Sequence, residues 1–223
     1  MNTPDFPSFN KIARHSRDIV ITEKLDGTNA LVHIERIDDP TFAQVDCPFV
    51  IAVDYNHDEN YALVLRAGSR VRWIRPKRDD EKGDPDNYGF AKWVSENRDE
   101  LFKLGEGAHY GEWWGHGIGR KYAVDGKLQE RKFSLFNVHR WSDTEKRPAC
   151  CDVVPVLYKG GNFSWAIATA LDELSKNGSV AAPGFMDPEG IVIFHTASQQ
   201  LYKKFLKNDE LPKGIAEKLE KAA

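Results

Sequence analysis

The stretch Ile19-Val20-Ile21-Thr22-Glu23-Lys24-Leu25-Asp26-Gly27-Thr28-Asn29-Ala30-Leu31-Val32-His33-Ile34-Glu35 decides how this chain is read. Its two ends are rich in β-branched and aliphatic residues, which suit a pleated, half-buried surface. Between them stands Asp26-Gly27, a dipeptide that accepts the sharp backbone of a turn. Two strands joined through a loop are expected, with Lys24 at the end of the first and facing that loop. A lysine so placed is ordinarily a protonated, solvated point charge, and it becomes a nucleophile only where burial or neighbours lower its pKa. Taken alone, the stretch reads more readily as an exposed strand-end lysine followed by an Asp-Gly turn, so the decision passes to the rest of the chain.

Further strands are expected at 49–53 and 61–67. A basic run follows, Arg70-Val71-Arg72-Trp73-Ile74-Arg75-Pro76-Lys77-Arg78, and then the acidic, solvated loop Asp79-Asp80-Glu81-Lys82-Gly83-Asp84-Pro85-Asp86. Phe90, Trp93, Val94 and Leu101 recur at helical spacing and predict an amphipathic helix over 88–104. Strands return at 109–114 and 132–138. A second helix is expected over 164–176, with Ser164 or Asn162 as its cap and Gly178 beyond its end. Strands at 190–194 and 200–206 read as a closing pair. The stretch 210–223 reads as a short polar helix with Leu211, Ile215 and Leu219 on one side. Mostly antiparallel strands with a few segregated helices indicate an α+β fold rather than βαβ alternation. A single domain over 1–223 is expected, with 209–223 as its short C-terminal helix.

The composition is that of a globular protein: 41% apolar and 29% charged residues. A net charge of −3 does not advertise nucleic acid, so any such surface must be a local patch. The start Met1-Asn2-Thr3-Pro4-Asp5-Phe6-Pro7 lacks the basic and apolar segments of a signal peptide, and no run approaches the roughly 20 apolar residues that cross a bilayer. A cytoplasmic protein without membrane attachment is the expectation. Cys47, Cys150 and Cys151 suit neither a disulfide framework nor a zinc site and read as reduced thiols. The seven histidines are scattered without metal-ligand spacing, which leaves room only for a loosely held magnesium.

Several segments now fall in order. Glu23-Lys24-Leu25-Asp26-Gly27-Thr28-Asn29 resembles motif I of the covalent nucleotidyltransferases, the superfamily of ATP-dependent DNA ligases, RNA ligases and capping enzymes. Ser69-Arg70 resembles motif Ia, Tyr110-Gly111-Glu112-Trp113-Trp114-Gly115 motif III, and Phe133-Ser134-Leu135-Phe136-Asn137-Val138 motif IIIa. Glu189-Gly190-Ile191-Val192-Ile193-Phe194 and Leu201-Tyr202-Lys203-Lys204-Phe205 resemble motifs IV and V. Each is weak alone, but the ordered set spans nearly the whole chain. The Gly-Thr-Asn ending of motif I and the Tyr-Gly-Glu of motif III resemble the RNA ligase branch typified by nick-sealing phage enzymes.

The resemblance implies an adenylyltransferase domain, an ATP-grasp-like ligase catalytic core, that uses ATP with magnesium, or manganese in its place. It implies that Lys24 attacks the α-phosphorus to form lysyl-AMP, that AMP moves to a 5′-phosphate, and that a 3′-hydroxyl completes the seal on RNA. It assigns Glu23 to the adenine amino group, Glu112 to the ribose hydroxyls, Phe136 to stacking on adenine and Glu189 to the metal. Arg70 would contact the ribose or the substrate phosphate, and Lys203 the α-phosphate. Asp26, Gly27, Asn29 and Lys204 complete the nucleotide-binding set. Motif V usually carries two lysines separated by one residue, whereas Phe205 stands at the second place here, so Lys204 or Lys207 is the candidate substitute. Phe136, in one strand with Phe133 and Leu135, also suits an ordinary core.

Candidate RNA contacts are Arg70, Arg72, Arg75, Lys77 and Arg78, extended by Lys11, Arg14 and Arg17, and a second group of Arg120, Lys121, Lys127, Arg131 and Lys132. The rival readings are a minimal DNA ligase and a nucleotide- or nucleic-acid-binding module that keeps the fold without turnover. The family's appended oligonucleotide-binding barrel is not expected after Phe205, and its C-terminal helical domain is expected to be missing or reduced to 210–223.

Overall fold

β-branched residues form strands on both sides of Asp26-Gly27, as β1 (Ile19–Lys24) and β2 (Thr28–Ile37). The computed structural model describes residues 5, 7–9, 11–43, 46–161 and 163–210. β3 (Val50–Asn56), β4 (Tyr61–Ser69), β5 (Trp73–Ile74) and β6 (Gly107–Trp114) come next in chain order. They are followed by β7 (Ala123–Val124), β8 (Lys127–Leu128), β9 (Lys132–Leu135), β10 (Cys151–Val153) and β11 (Val156–Gly160). The last strands are β12 (Gly190–His195) and β13 (Gln200–Phe205). The helices are α1 (Phe90–Glu96), α2 (Arg98–Leu101), α3 (Val138–Trp141) and α4 (Phe163–Asn177).

Two sheets carry the molecule, in a mixed α+β arrangement. The first runs β11-β1-β12-β13 and is antiparallel throughout. The second runs β10-β9-β6-β2-β4-β3, with β5 added on β4, and only the β10–β9 pair is parallel. β1 and β2 therefore belong to different sheets, and Leu25-Asp26-Gly27 carries the chain from one to the other. A small β7–β8 hairpin stands apart.

Each sheet buries one face behind helices. Ile19, Ile21, Ile191 and Ile193 pack on Ala166, Ala170 and Leu174 of α4. Ala30, Val32, Leu65, Trp113 and Phe133 pack on Phe90, Val94 and Leu101 of α1 and α2. Each fully buried aliphatic of this kind contributes about 1.5–3 kcal/mol. A third cluster, Leu25, Trp114, Tyr122, Val138, Val154 and Ala182, includes residues from the crossover and from around both sheets, and part of it borders a cleft.

Some boundaries depart from expectation for identifiable reasons. The helix expected over 88–104 is divided at Asn97, whose side-chain amide donates to the Trp93 carbonyl at 2.9 Å and competes with the helical backbone. Its start is held by buried Asp86, which accepts from the N–H groups of Ala91 (2.7 Å) and Lys92 (3.0 Å). The strand expected at 132–138 stops at Leu135, because Asn137 turns the chain and caps α3 by accepting from Arg140 N–H. Ser164 lies inside α4 rather than capping it, and Asn162 lies outside the described residues. Gly178 does end α4, with φ +78. The helix expected over 210–223 falls, after Glu210, outside the described residues. Among the described residues no helix is long and apolar enough to cross a membrane.

Candidate active site

Strand alternation sets the face on which Lys24 stands. Ile19 and Ile21 point to α4, so Val20, Thr22 and Lys24 point to the cleft. Lys24 is opposite Gly190, and Gly190 is opposite Phe205; one row away, Thr22 is opposite Val192 and Val192 opposite Lys203. The register thus sets Lys24, Lys203 and Phe205 on one face. The Phe205 ring centroid lies 5.6 Å from Lys24 Nζ and 5.1 Å from Lys203 Nζ, and its negative π-face attracts both ammonium groups. Gly190 admits no side chain, since a Cβ would come 2.2 Å from the Lys204 carbonyl oxygen.

Lys24 Nζ donates to Glu189 Oε2 at 2.7 Å, a contact between residues 165 apart in sequence. The Glu189 side chain is only 5% exposed and that of Lys24 22%. A pair so desolvated requires good geometry to persist.

Glu112, on β6, reaches the same space. The Gly27 N–H donates to its Oε1 at 3.1 Å, and Asn29 is its cross-strand partner on β2. Burial raises the Glu112 carboxyl to about 7, against the pull of Lys24 and the Gly27 N–H. Gly27 must be glycine, because a Cβ there would lie 2.4 Å from the Trp113 carbonyl oxygen. The Asp26 N–H donates to the Tyr122 hydroxyl at 2.8 Å, which fixes the crossover loop from its other side.

Glu23, expected to meet an adenine amino group, borders the cleft with its carboxylate already engaged inside the protein. Its two oxygens accept from the Ser179 hydroxyl (2.6 Å) and the N–H groups of Val180 (2.9 Å) and Ala181 (3.0 Å). Burial raises its pKa and these donors offset part of the rise. The side chain therefore clamps the 179–181 turn onto β1.

The candidate substitutes for the second motif V lysine are not brought to Lys24. Lys204 is on the opposite face of β13 and pairs with Asp209 at 2.9 Å. Lys207 pairs with Asp187 at 2.8 Å. Asp187 also binds Arg120 Nη1 at 2.5 Å, and Arg120 Nε lies 3.9 Å from Asp26 Oδ2. A chain of charges so runs from the end of motif V back to motif I. Burial alone would raise Asp187, but Lys207 and Arg120 hold its carboxyl below the usual range.

Phe136 is 41% exposed at the cleft, while Phe133 and Leu135 are core. Arg70, just beyond β4, is exposed and lines the cleft as well. The cleft measures about 920 Å³ and brings together Glu23, Lys24, Asn29, Arg70, Glu112 and Phe136. Among the described residues no group of three or more His, Cys, Asp or Glu side chains is arranged to hold a metal ion. A magnesium ion here would rely on one or two carboxylates, Glu189 first, together with phosphate oxygens and water.

The expected basic surface is thinner than its sequence suggests. Arg72 donates to the carbonyls of Pro85 and Asp86, Arg75 pairs with Glu81, and Arg131 donates to the carbonyls of His116 and Tyr88. These arginines anchor loops. Sequence reasoning did not single out Tyr122, Arg120 as an anchor, Ser179 or Asp187, and their partners lie too far along the chain to leave a local pattern.

The family model described as RNA ligase matches residues 17–213. No curated protein matches the chain.

Proposed function

The chain belongs to the RNA ligase family, and from that premise we propose an ATP-dependent polynucleotide ligase acting on RNA, built on an ATP-grasp-like adenylyltransferase core with Lys24 as covalent nucleophile. The observation that carries this reading is the Lys24–Glu189 contact inside a cleft that also gathers Asn29, Arg70, Glu112 and Phe136.

An ammonium has no lone pair, so Lys24 must first lose a proton, and Glu189 Oε2 at 2.7 Å is the nearest acceptor. The amine then attacks the α-phosphorus of ATP; a P–N bond forms and the P–O bond to pyrophosphate breaks. Next a 5′-phosphate oxygen of RNA attacks the same phosphorus, and Lys24 leaves and recovers its proton. Finally a 3′-hydroxyl attacks the activated 5′-phosphate, a phosphodiester forms and AMP departs. Each step develops negative charge on non-bridging oxygens, which Lys203 and Arg70 face in advance. Bound magnesium, or manganese, would add further charge neutralisation there. Phe136 offers its exposed ring to the adenine, and Glu112 and Asn29 offer polar groups to the ribose.

The departure at Phe205 favours one second reading, a binding module without turnover, because only one motif V lysine is turned to the cleft. One experiment separates the two. Protein first treated with pyrophosphate is incubated with α-labelled ATP and magnesium and run on a denaturing gel beside Lys24→Ala. Label in the wild type and none in the variant is expected. Absence of label from both would overturn the ligase reading in favour of the binding module. RNA, DNA and hybrid nicks assayed side by side then test RNA against the minimal DNA ligase alternative.

A further inference from the structure

Next to the row of Asn29 and Glu112 runs a second row, whose Trp73 and Tyr110 the chemistry above does not use. Across the second sheet, Trp73 on β5 is opposite Gly68 on β4, Gly68 opposite Leu31 on β2, and Leu31 opposite Tyr110 on β6. Phe136 extends it, donating its N–H to the Tyr110 carbonyl at 3.0 Å. Directly opposed residues share a face, so these side chains form one line across the strands. Leu31 is the buried floor of that line and lies over Gly68, where a Cβ would come within 3.2 Å of Leu31 Cδ2.

Trp73 is 40% and Tyr110 50% exposed, high values for large aromatic rings on a sheet. Trp73 is not loose: it packs edge-on to His33, with ring centroids 5.4 Å apart. Three strand spacings, roughly 14 Å, separate it from Tyr110, enough for each ring to take its own base. The row lies two residues from Asn29 and Glu112, roughly 7 Å along the strands. Tyr110 and Arg70 line the cleft itself, so the row is continuous with it.

We propose that this row is a stacking platform for unpaired nucleobases of the RNA end being joined, with one base on Tyr110 and another on Trp73. The identity of the strand rests on the ligase reading above. A base on Tyr110 holds its phosphate beside the Glu112 row and the exposed Arg70, where the 5′-phosphate has to arrive. Aromatic faces accept any base, so the platform binds an end without reading its sequence.

The test is the affinity of a labelled single-stranded RNA oligonucleotide for the wild type, Tyr110→Ala, Trp73→Ala, Tyr110→Phe and Trp73→Phe. Trp165→Ala, which removes a 55% exposed ring on α4, is the control. Each platform alanine should weaken binding about 5- to 100-fold, while both phenylalanine variants and the control stay within about threefold. Unchanged affinity in both platform alanines would overturn the proposal and leave the row to a protein partner; an equal loss in the control would overturn it too. Labelling of the wild type by α-labelled ATP, scored in parallel, keeps the two readings apart. Label with unaltered RNA affinities sinks the platform alone, and the expected losses without label sink the ligase reading alone.

Discussion

Glu112 is where burial and the proposed role at the ribose pull against each other. Burial lifts its carboxyl from 4.5 to about 7. The folded protein therefore binds this proton more tightly than the unfolded chain, and the resulting stability is fully present below the unfolded value and lost as pH rises through about 7. A gap of that size corresponds to about 3 kcal/mol. Glu112→Gln retains an oxygen for the Gly27 N–H and removes the charge. Its Tm should exceed that of the wild type by about 6–12 °C at pH 8 and match it near pH 4.5. Circular-dichroism melts at the two pH values check this, and a Tm difference independent of pH would refute it. Glu23 is raised in the same direction, so part of the wild-type pH dependence should survive in the variant.

At the scale of an element, β13 shows how a strand turns two adjacent lysines into different residues. Lys203 is across from Val192 on the Lys24 face, and Lys204 is across from Ile191 on the other, held by Asp209. On the proposed ligase reading, Lys203→Ala should slow lysyl-AMP formation by about 10²–10³-fold, whereas Lys204→Ala should change it by less than about threefold; single-turnover labelling distinguishes them. The motif resemblance points to both lysines, and only the period-2 alternation of the strand, with its register against β12, separates them. Phe136 is ambiguous in the sequence for a related reason: the apolar pattern runs on toward residue 138, and the exposure of the ring follows from the stop at Leu135 that Asn137 imposes. What can be read directly is whatever local pattern controls, such as β1, β2, the β12–β13 pair and the α+β class. β10 and β11 leave no such pattern, because each is short and Val154-Pro155 breaks the run of valines between them before any alternation is established. The crossing of Leu25-Asp26-Gly27 between sheets is also hidden, since the partners of β1 begin more than a hundred residues later.

At the scale of the whole molecule, the charge balance governs how RNA can be held. The chain carries a net charge of −3, and many of its cations already have partners. Arg72 and Arg131 hold backbone carbonyls, Arg75 and Arg120 hold carboxylates, and Lys132, Lys204 and Lys207 pair with Asp152, Asp209 and Asp187. Each phosphate neutralised on a single strand contributes about −0.7 to the slope of log affinity against log salt. Arg70 and Lys203, with one or two further cations, then give a slope between about −1 and −3. Had both basic clusters tracked the backbone, their roughly ten cations would give about −7. Titrating potassium chloride against binding of a single-stranded RNA oligonucleotide measures the slope directly. A value steeper than about −5 would mean that the loop-anchoring arginines exchange their carbonyl and carboxylate partners for phosphate. A shallow slope would leave most of the binding free energy to contacts that salt does not screen, which on this surface are the exposed rings of Tyr110, Trp73 and Phe136.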